Sequence, residues 1–282
     1  MGSRPIVVGV DGSEGSHRAL EWAAGVASSV DSPVLAIHAY SPWTGWVMAV
    51  PPFDMSDYRR AVEQEMNDWC GPIEDAGVSH GCSLVEEDAA TALLDAADLD
   101  DARMIVVGAH GHSRWSAHLL GSVTAKLLHR SPVPLAVIPQ EPSAPVDGGI
   151  LCGVDGSAGS ATALRWAAGL ASETDDELRA ASVVPLELWH EQPFFGDEGV
   201  GDVTDRLRGF AERIADETGV PIKTEVLTGD PGGELVALGD RAGLLVVGDR
   251  GHTSVGEIVF GSVSRHCATH ATRPVVVVPV RG

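Results

Sequence analysis

Short apolar runs in the first half of the chain alternate with longer segments whose apolar residues recur at helical spacing. Continuous apolar, β-branched runs bounded by turn residues are typical of parallel strands buried on both faces. They predict strands at Ile6–Val10, Val34–Ala39, Val78–Val85, Met104–Val107 and Val133–Ile138. The helical spacing predicts helices at Ser16–Ser28, Asp57–Asp75, Thr91–Ala97 and Ser122–His129.

The second half of the chain repeats this pattern, which makes duplication the organising feature of the sequence. Fifteen of the twenty residues in Gly9–Ser28 are identical to their counterparts in Gly153–Ser172. A segment rich in proline and small residues separates the halves and predicts a linker at 141–148, between domains at 1–140 and 149–282. Strands are predicted in the second domain at Ile150–Val154, Leu178–Val184, Val220–Leu227, Leu244–Val247 and Val275–Val280.

Alternation of strands and helices favours an open parallel sheet with helices on both faces. Each half is therefore predicted to be a doubly wound, five-stranded parallel sheet, and the fold class is α/β with two such sheets in tandem. Sheets of this kind bind ligands at the carboxyl ends of their strands, where the strand order reverses.

The net charge of −21 limits the kinds of partner that can be expected. A strongly negative field repels nucleic acid and anionic membranes, so neither is expected as a partner, and an anionic ligand would need a local site built from backbone groups. The first thirty residues lack the order of a signal peptide, and no apolar run approaches the roughly 20 residues that span a bilayer. We therefore expect a cytoplasmic protein.

Cysteine and lysine usage excludes several kinds of site. The four cysteines form no C-x-x-C pair, which argues against a zinc ribbon, a redox motif or a disulfide framework and predicts buried free thiols. Neither Lys126 nor Lys223 follows a glycine, so no Walker A motif is present. The first strand is not followed by G-x-G-x-x-G, so a dinucleotide site is unsupported as well.

A glycine-rich loop follows the fourth predicted strand of each half. It starts at Gly108-Ala-His-Gly111 and, nine residues later, reaches Gly121-Ser-Val-Thr124 at the start of a helix; the second half repeats this spacing. Glycines let the backbone approach a ligand closely, and a helix start offers unpaired N–H groups. The loop therefore predicts a cradle for phosphate, to which the hydroxyls of Ser122, Thr124, Ser262 and Ser264 can add donors. A tight turn followed by an ordinary helix cap is the alternative reading of one loop taken alone.

The Gly-Val-Asp-Gly-Ser segments, combined with G-x2-G-x9-G-S-V in both halves, closely resemble the universal stress protein family in its tandem, two-domain actinobacterial form. The resemblance covers 5–140 and 149–281. It implies two Rossmann-like domains related by a pseudo-twofold axis, similar to adenine nucleotide α-hydrolases, which bind ATP across their strand ends, with Mg²⁺ held through the phosphates and no protein metal ligands. It also implies a homodimer, an unidentified regulatory protein partner, and a pairing of the halves through their last strands.

By the same resemblance, the base and ribose of ATP contact Val10, Asp11 and Ala39 in the first half and Val154, Asp155 and Val183 in the second. The phosphates are held in the first half by Gly108, His110, Gly111, Gly121, Ser122, Val123 and Thr124. Their counterparts in the second half are Gly248, Arg250, Gly251, Gly261, Ser262, Val263 and Ser264. The alternative for Asp11 and Asp155 is that each only caps the turn that follows it.

Two functions remain open from the sequence. A nucleotide-dependent regulatory module in stress or dormancy adaptation is favoured, and a slow ATP-hydrolysing enzyme is the alternative. No position of the loop carries an acidic residue or a glutamine in both halves, and no catalytic residue is assigned. His110 in the first half aligns with Arg250 in the second. Because arginine is a permanent cation, this difference predicts tighter binding in the second half.

Overall fold

The computed structural model describes residues 3–40, 55–111, 119–140, 148–185, 200–251 and 261–280. The described residues divide into two compact units. The first unit contains residues 3–111 and 121–140, and the second contains residues 119–120 and 148–280. The linker predicted at 141–148 lies outside the described residues except for Gly148.

The first unit is a five-stranded parallel sheet with the strand order β3-β2-β1-β4-β5. The strands are β1 (Ile6–Gly9), β2 (Val34–Tyr40), β3 (His80–Glu86), β4 (Met104–Gly108) and β5 (Leu135–Ile138). The helices are α1 (Glu14–Ser29), α2 (Met55–Trp69), α3 (Gly71–Asp75), α4 (Ala89–Leu99) and α5 (Ser122–Arg130). All five predicted strands are present, with ends shifted by one or two residues.

Strands β1, β4 and β5 are buried along almost their whole length, which explains their uninterrupted apolar sequence. The chain leaves β1 toward β2 on one side, and β4 joins β1 on the other. The order of strands therefore reverses beside β1. This reversal opens a crevice at the carboxyl ends of β1, β2 and β4.

The first helix begins where the sequence provides a cap. The Ser13 side chain accepts a hydrogen bond from the Ser16 N–H at 3.2 Å, which satisfies one unpaired donor of α1. Its predicted apolar face, including Leu20, Ala23 and Ala27, is buried. The single helix predicted at Asp57–Asp75 is instead two helices, because Pro72 lacks an N–H and starts a new helix.

The second unit repeats this sheet with the order β10-β9-β6-β7-β8, again all parallel. Its strands are β6 (Ile150–Gly153), β7 (Leu178–Val184), β8 (Ile222–Thr228), β9 (Leu244–Gly248) and β10 (Val275–Val278). Its helices are α6 (Ala158–Thr174), α7 (Val200–Thr218), α8 (Pro231–Gly239) and α9 (Ser262–His270). The predicted fold class of two doubly wound parallel sheets is thus confirmed.

The cysteine prediction is wrong for one pair. Cys70 and Cys82 are joined in a disulfide, whereas Cys152 and Cys267 are free and buried as expected. The end of α2 packs beside β3 and brings together two cysteines whose spacing matches no short motif. Burial raises the pKa of the Cys267 thiol to about 12 and raises the pKa of the Cys152 thiol further, so neither is a reactive thiolate.

Among the described residues, no helix is long and apolar enough to cross a bilayer, and no three histidine, cysteine or acidic side chains are grouped to hold a metal ion.

Candidate functional site

A cavity of about 210 Å³ lies at the carboxyl ends of β1, β2 and β4 in the first unit. Its lining includes every site residue that the sequence suggested for this half: Val10, Asp11, Ala39, Gly108, His110, Gly111, Gly121, Ser122, Val123 and Thr124. Residues from three separate elements and two loops therefore converge on one crevice.

The backbone of Ala39 is directed into this crevice. In a parallel strand, residues two apart send their N–H and C=O groups toward the same neighbour. The Ile37 carbonyl accepts from the Val10 N–H at 2.9 Å, so Ala39 points to the same side, where β1 has already ended at Gly9. Ala39 can therefore pair with a ligand through its main chain. The Val10 backbone is less available, because its carbonyl also contacts Nδ1 of His38 at 2.7 Å.

Asp11 caps the turn after β1 and also lines the cavity. Its Oδ1 accepts from the Ser13 N–H at 3.0 Å, which is the bond expected of a turn cap. Its Oδ2 lies directly against Gly111, where an added Cβ would collide with it. The carboxylate therefore lines the cavity while it also fixes the turn that leads into α1.

The glycine loop is held close to α1 by a contact between two backbones. An added Cβ at Gly15 would collide with the His110 carbonyl, and one at Gly108 would lie 2.9 Å from the carbonyl group of Gly15. Only glycine permits this approach. Gly15 was not among the predicted site residues, nor were Ser13 and Ser16, which also line the cavity. Their recurrence in the duplicated segment 9–16 and 153–160 was the signal that could have identified them.

Helix α5 starts at the cavity without a side-chain cap among the described residues. The N–H groups of Ser122, Val123 and Thr124 belong to its first turn, where no helical carbonyl is available to pair with them. The structure corrects the prediction that the Thr124 hydroxyl donates to a phosphate. This hydroxyl donates to the Gly108 carbonyl at 2.9 Å, so its hydrogen stabilises the loop and is not offered to a phosphate.

His110 carries a polar ring in the glycine loop. Both of its ring nitrogens, Nδ1 and Nε2, are buried and have no hydrogen-bond partner among the described residues. A buried polar atom without a partner costs free energy, on the order of 1–3 kcal/mol. His110 is one of the residues that line the cavity, so a polar ligand bound there could supply the missing partner.

The second unit builds the same loop with the same contacts. Asp155 accepts from the Ser157 N–H at 2.9 Å, and its Oδ2 lies against Gly251. Gly159 makes room for the Arg250 carbonyl, as Gly15 does for His110. Ser264 donates its hydroxyl to the Gly248 carbonyl at 2.5 Å, which removes it as a phosphate donor, as for Thr124.

The remaining predicted residues of this half fall into two groups, because the glycine-loop residues are not in the lining of the cavity that the strand-end residues line. Gly261 precedes α9, which starts without a side-chain cap among the described residues, and Ser262 and Val263 form its first turn. Val154, Asp155 and Val183 line a second cavity, of about 740 Å³. The carbonyl of Ala181 accepts from the Val154 N–H at 2.8 Å, so Val183 faces the crevice as Ala39 does.

The two loops differ in charge. Nε of Arg250 lies 3.7 Å from Oδ2 of Asp249, and the guanidinium is about half exposed. Burial raises the pKa of the Asp249 carboxyl, although the Val280 N–H, at 3.2 Å, and Arg250 oppose that shift. Ala109 occupies the position of Asp249 in the first unit, so this pair has no counterpart there.

The two histidines of α9 line neither cavity. His266 and His270 stack on each other with ring centroids 4.2 Å apart, in the body of α9, and Nδ1 of His270 contacts the His266 carbonyl. His112 and His252 lie outside the described residues, as do the aromatic residues of the loops after β2 and β7, apart from Tyr58, whose side chain is not described.

Comparison with known proteins agrees with this architecture. The model of the universal stress protein family matches residues 2–139 and again residues 149–279. The chain belongs to the universal stress protein family. A universal stress protein of Mycolicibacterium smegmatis is 32% identical over 295 residues, covering 98% of this chain and 97% of the relative. One from Mycobacterium tuberculosis is 31% identical over 285 residues, covering 96% and 95%.

A solved universal stress protein structure from Archaeoglobus fulgidus matches the whole fold. The TM-score is 0.76 at 22% identity, with 99% of both chains covered. The likeness of fold therefore extends along the full length of both chains.

Proposed function

We propose that each unit binds ATP, with Mg²⁺ held through its phosphates, and that the chain is a nucleotide-dependent regulatory module in stress or dormancy adaptation. The observation that carries the proposal is the cavity of the first unit, which all ten residues suggested by the sequence line together. Fold alone does not imply function, so the proposal rests on this site.

The phosphates would lie at the glycine loop. The first turn of α5 offers three N–H groups and the positive end of the helix dipole to an anion. His110 belongs to the lining of the same cavity, its buried ring nitrogens have no partner among the described residues, and one of them can donate to a phosphate oxygen once the ligand is bound. Because the chain carries a net charge of −21, only such a local arrangement can attract a polyanion.

The base and ribose would extend from the loop along the strand ends. Asp11 offers a carboxylate that can accept from ribose hydroxyls, and the main chain of Ala39 offers the paired donor and acceptor that an adenine edge requires. In the second unit the same roles fall to Asp155 and Val183, with Arg250 in place of His110 at the phosphates.

Acid extraction of the purified chain, with mass spectrometry of any released nucleotide, is the first test. Calorimetric titration with MgATP follows, using the native chain and the variants Gly121→Asp and Gly261→Asp. Gly121→Ala is the matched control, because a Cβ at this position meets no atom closer than 3.4 Å. We expect two binding events, each removed by one aspartate. Absence of ATP binding by the native chain contradicts the proposal.

Slow ATP hydrolysis by the second unit is the alternative, and the pair of Asp249 and Arg250 favours it. A carboxylate can position water and an arginine can stabilise the charge that develops on a transferred phosphoryl group. Phosphate release with magnesium, compared between the native chain and Asp249→Asn, distinguishes turnover from binding. Turnover that Asp249→Asn abolishes, with ATP affinity retained, would favour the enzyme.

We also propose a homodimer in the cytoplasm that engages a regulatory protein. The family resemblance and the absence of a membrane-spanning helix among the described residues support these points. Light scattering with and without ATP tests the dimer, and a monomer at all concentrations contradicts it.

A further inference from the structure

The two units have different walls behind the ends of β2 and β7. In the first unit, Trp69 at the end of α2 packs edge-on to His38 with ring centroids 5.3 Å apart. The same indole covers Gly12, where an added Cβ would lie 2.6 Å from the ring. These two aromatic side chains fill the space between the turn after β1 and the helix.

In the second unit smaller side chains occupy both positions. His38 is the fifth residue of β2, and Ser182 is the fifth residue of β7. The buried residues of the helical segments correspond in register, Met66 with Leu207, Cys70 with Ala211 and Ile73 with Ile214. By that register, the counterpart of Trp69 is Phe210.

These replacements accompany the cavity of about 740 Å³ in the second unit. Its lining includes Ser182 and Phe210 themselves, together with Val154, Asp155 and Val183 of the candidate nucleotide site. The cavity therefore starts at the site and continues toward α7. A space of this size is ample for an additional ring.

The walls of the cavity favour a planar apolar group. Valine and leucine side chains line it beside the Phe210 ring, and the Arg213 guanidinium lies 5.8 Å from the centroid of that ring. An aromatic face and an arginine together form a stacking surface for a second aromatic ring. In the first unit, Trp69 packs on His38 and Gly12 and fills the corresponding space between the turn after β1 and α2.

We propose that the second unit accepts an adenine nucleotide enlarged on its base by an aromatic group, and that the first unit rejects it. The inference rests on the proposed function: with the triphosphate at the glycine loop and the ribose at Asp155, the far edge of the base reaches the main chain of Val183. A substituent on that edge enters the cavity in the second unit. In the first unit it meets the wall of Trp69 and His38.

The test compares ATP with N6-benzyl-ATP by calorimetry on full-length chains in which one site is blocked. Gly121→Asp leaves the second unit to bind, and Gly261→Asp leaves the first. We expect the second unit to bind the two nucleotides within about threefold of each other. We expect the first unit to bind N6-benzyl-ATP at least tenfold more weakly than ATP.

Exchanging the wall residues between the two units tests the proposal most directly. In the Gly121→Asp background, Ser182→His with Phe210→Trp should lower affinity for N6-benzyl-ATP at least tenfold while ATP still binds, which also shows that the variant is folded. In the Gly261→Asp background, His38→Ser with Trp69→Phe should restore N6-benzyl-ATP binding.

The outcomes separate the two ideas. If neither blocked chain binds ATP, the proposed nucleotide function fails and this inference fails with it. If both bind ATP but discriminate equally against N6-benzyl-ATP, or if the exchanged walls leave the discrimination unchanged, this inference alone is overturned.

Discussion

The two units use nearly identical backbone to surround different side chains. In both, an aspartate after the first strand lies against the second glycine of the loop, and a glycine in the first helix makes room for a loop carbonyl. At the loop, the first unit has His110 where the second has Arg250. At the wall behind the ends of β2 and β7, the first unit has Trp69 and His38, and the second has Phe210 and Ser182.

This contrast separates what the backbone of the glycine loop requires from what can vary around it. Close contacts between backbones tolerate only glycine at Gly15 and Gly108, and the second unit has glycine at both counterparts, Gly159 and Gly248. The side chains around the loop need only a suitable charge and size, so they can differ between the units. If both units bind a nucleotide as proposed, duplication has preserved the loop while leaving room for two ligand preferences.

The largest expected effect is the loss of one site at a time. Gly121→Asp places a carboxylate beside the uncapped start of α5 and should weaken ATP binding in the first unit about 100-fold or more through charge repulsion. Gly261→Asp should do the same in the second unit only. Calorimetric stoichiometry checks both, and loss of both sites from one substitution would contradict independent cradles.

The next effect concerns the stability of the two walls. Trp69→Ala removes an indole packed on Gly12 and His38 and should lower the free energy of unfolding by about 2–3 kcal/mol. Phe210→Ala, whose ring borders a cavity, should cost about 1 kcal/mol. Urea unfolding followed by circular dichroism measures both. Equal losses would mean that the second wall is packed as tightly as the first.

A smaller effect is expected at the loop residue that distinguishes the units. His110→Arg supplies a permanent cation and should strengthen ATP binding in the first unit about three- to tenfold, more at low salt than at high salt. The reciprocal change, Arg250→His, should weaken the second unit by a similar factor. Titrations in the Gly261→Asp and Gly121→Asp backgrounds check the two changes separately. No change in either would show that this side chain does not meet the phosphates.

The smallest effect is a pH dependence confined to the second unit. Because folding raises the pKa of Asp249, its stabilising contribution is complete below the ordinary pKa of an aspartate and is lost as the pH rises through the raised value. Asp249→Asn keeps an acceptor for the Val280 N–H and should be more stable than the native chain at pH 7, by less than about 1 kcal/mol, with no difference near pH 3.

The exposed Asp216→Asn is the matched control for this comparison and should shift stability equally little at both pH values. A difference between the native chain and Asp249→Asn that grows toward low pH would contradict the sign.

The sequence alone determined the duplication, the strands and helices to within a few residues, and the glycine loops, because these depend on local periodicity and on residue types with strong backbone preferences. It also suggested the ten residues that converge on the cavity of the first unit. That success depended on topology, since the carboxyl ends of parallel strands meet at one edge of the sheet.

Tertiary structure decided the rest. The disulfide between Cys70 and Cys82, the bonds of Thr124 and Ser264 to the loop carbonyls, and the packing of Trp69 on His38 all join residues that no local pattern connects. Each depends on how elements pack in space. The different walls of the two units are of this kind, because a side chain closes a space only when the fold places it there.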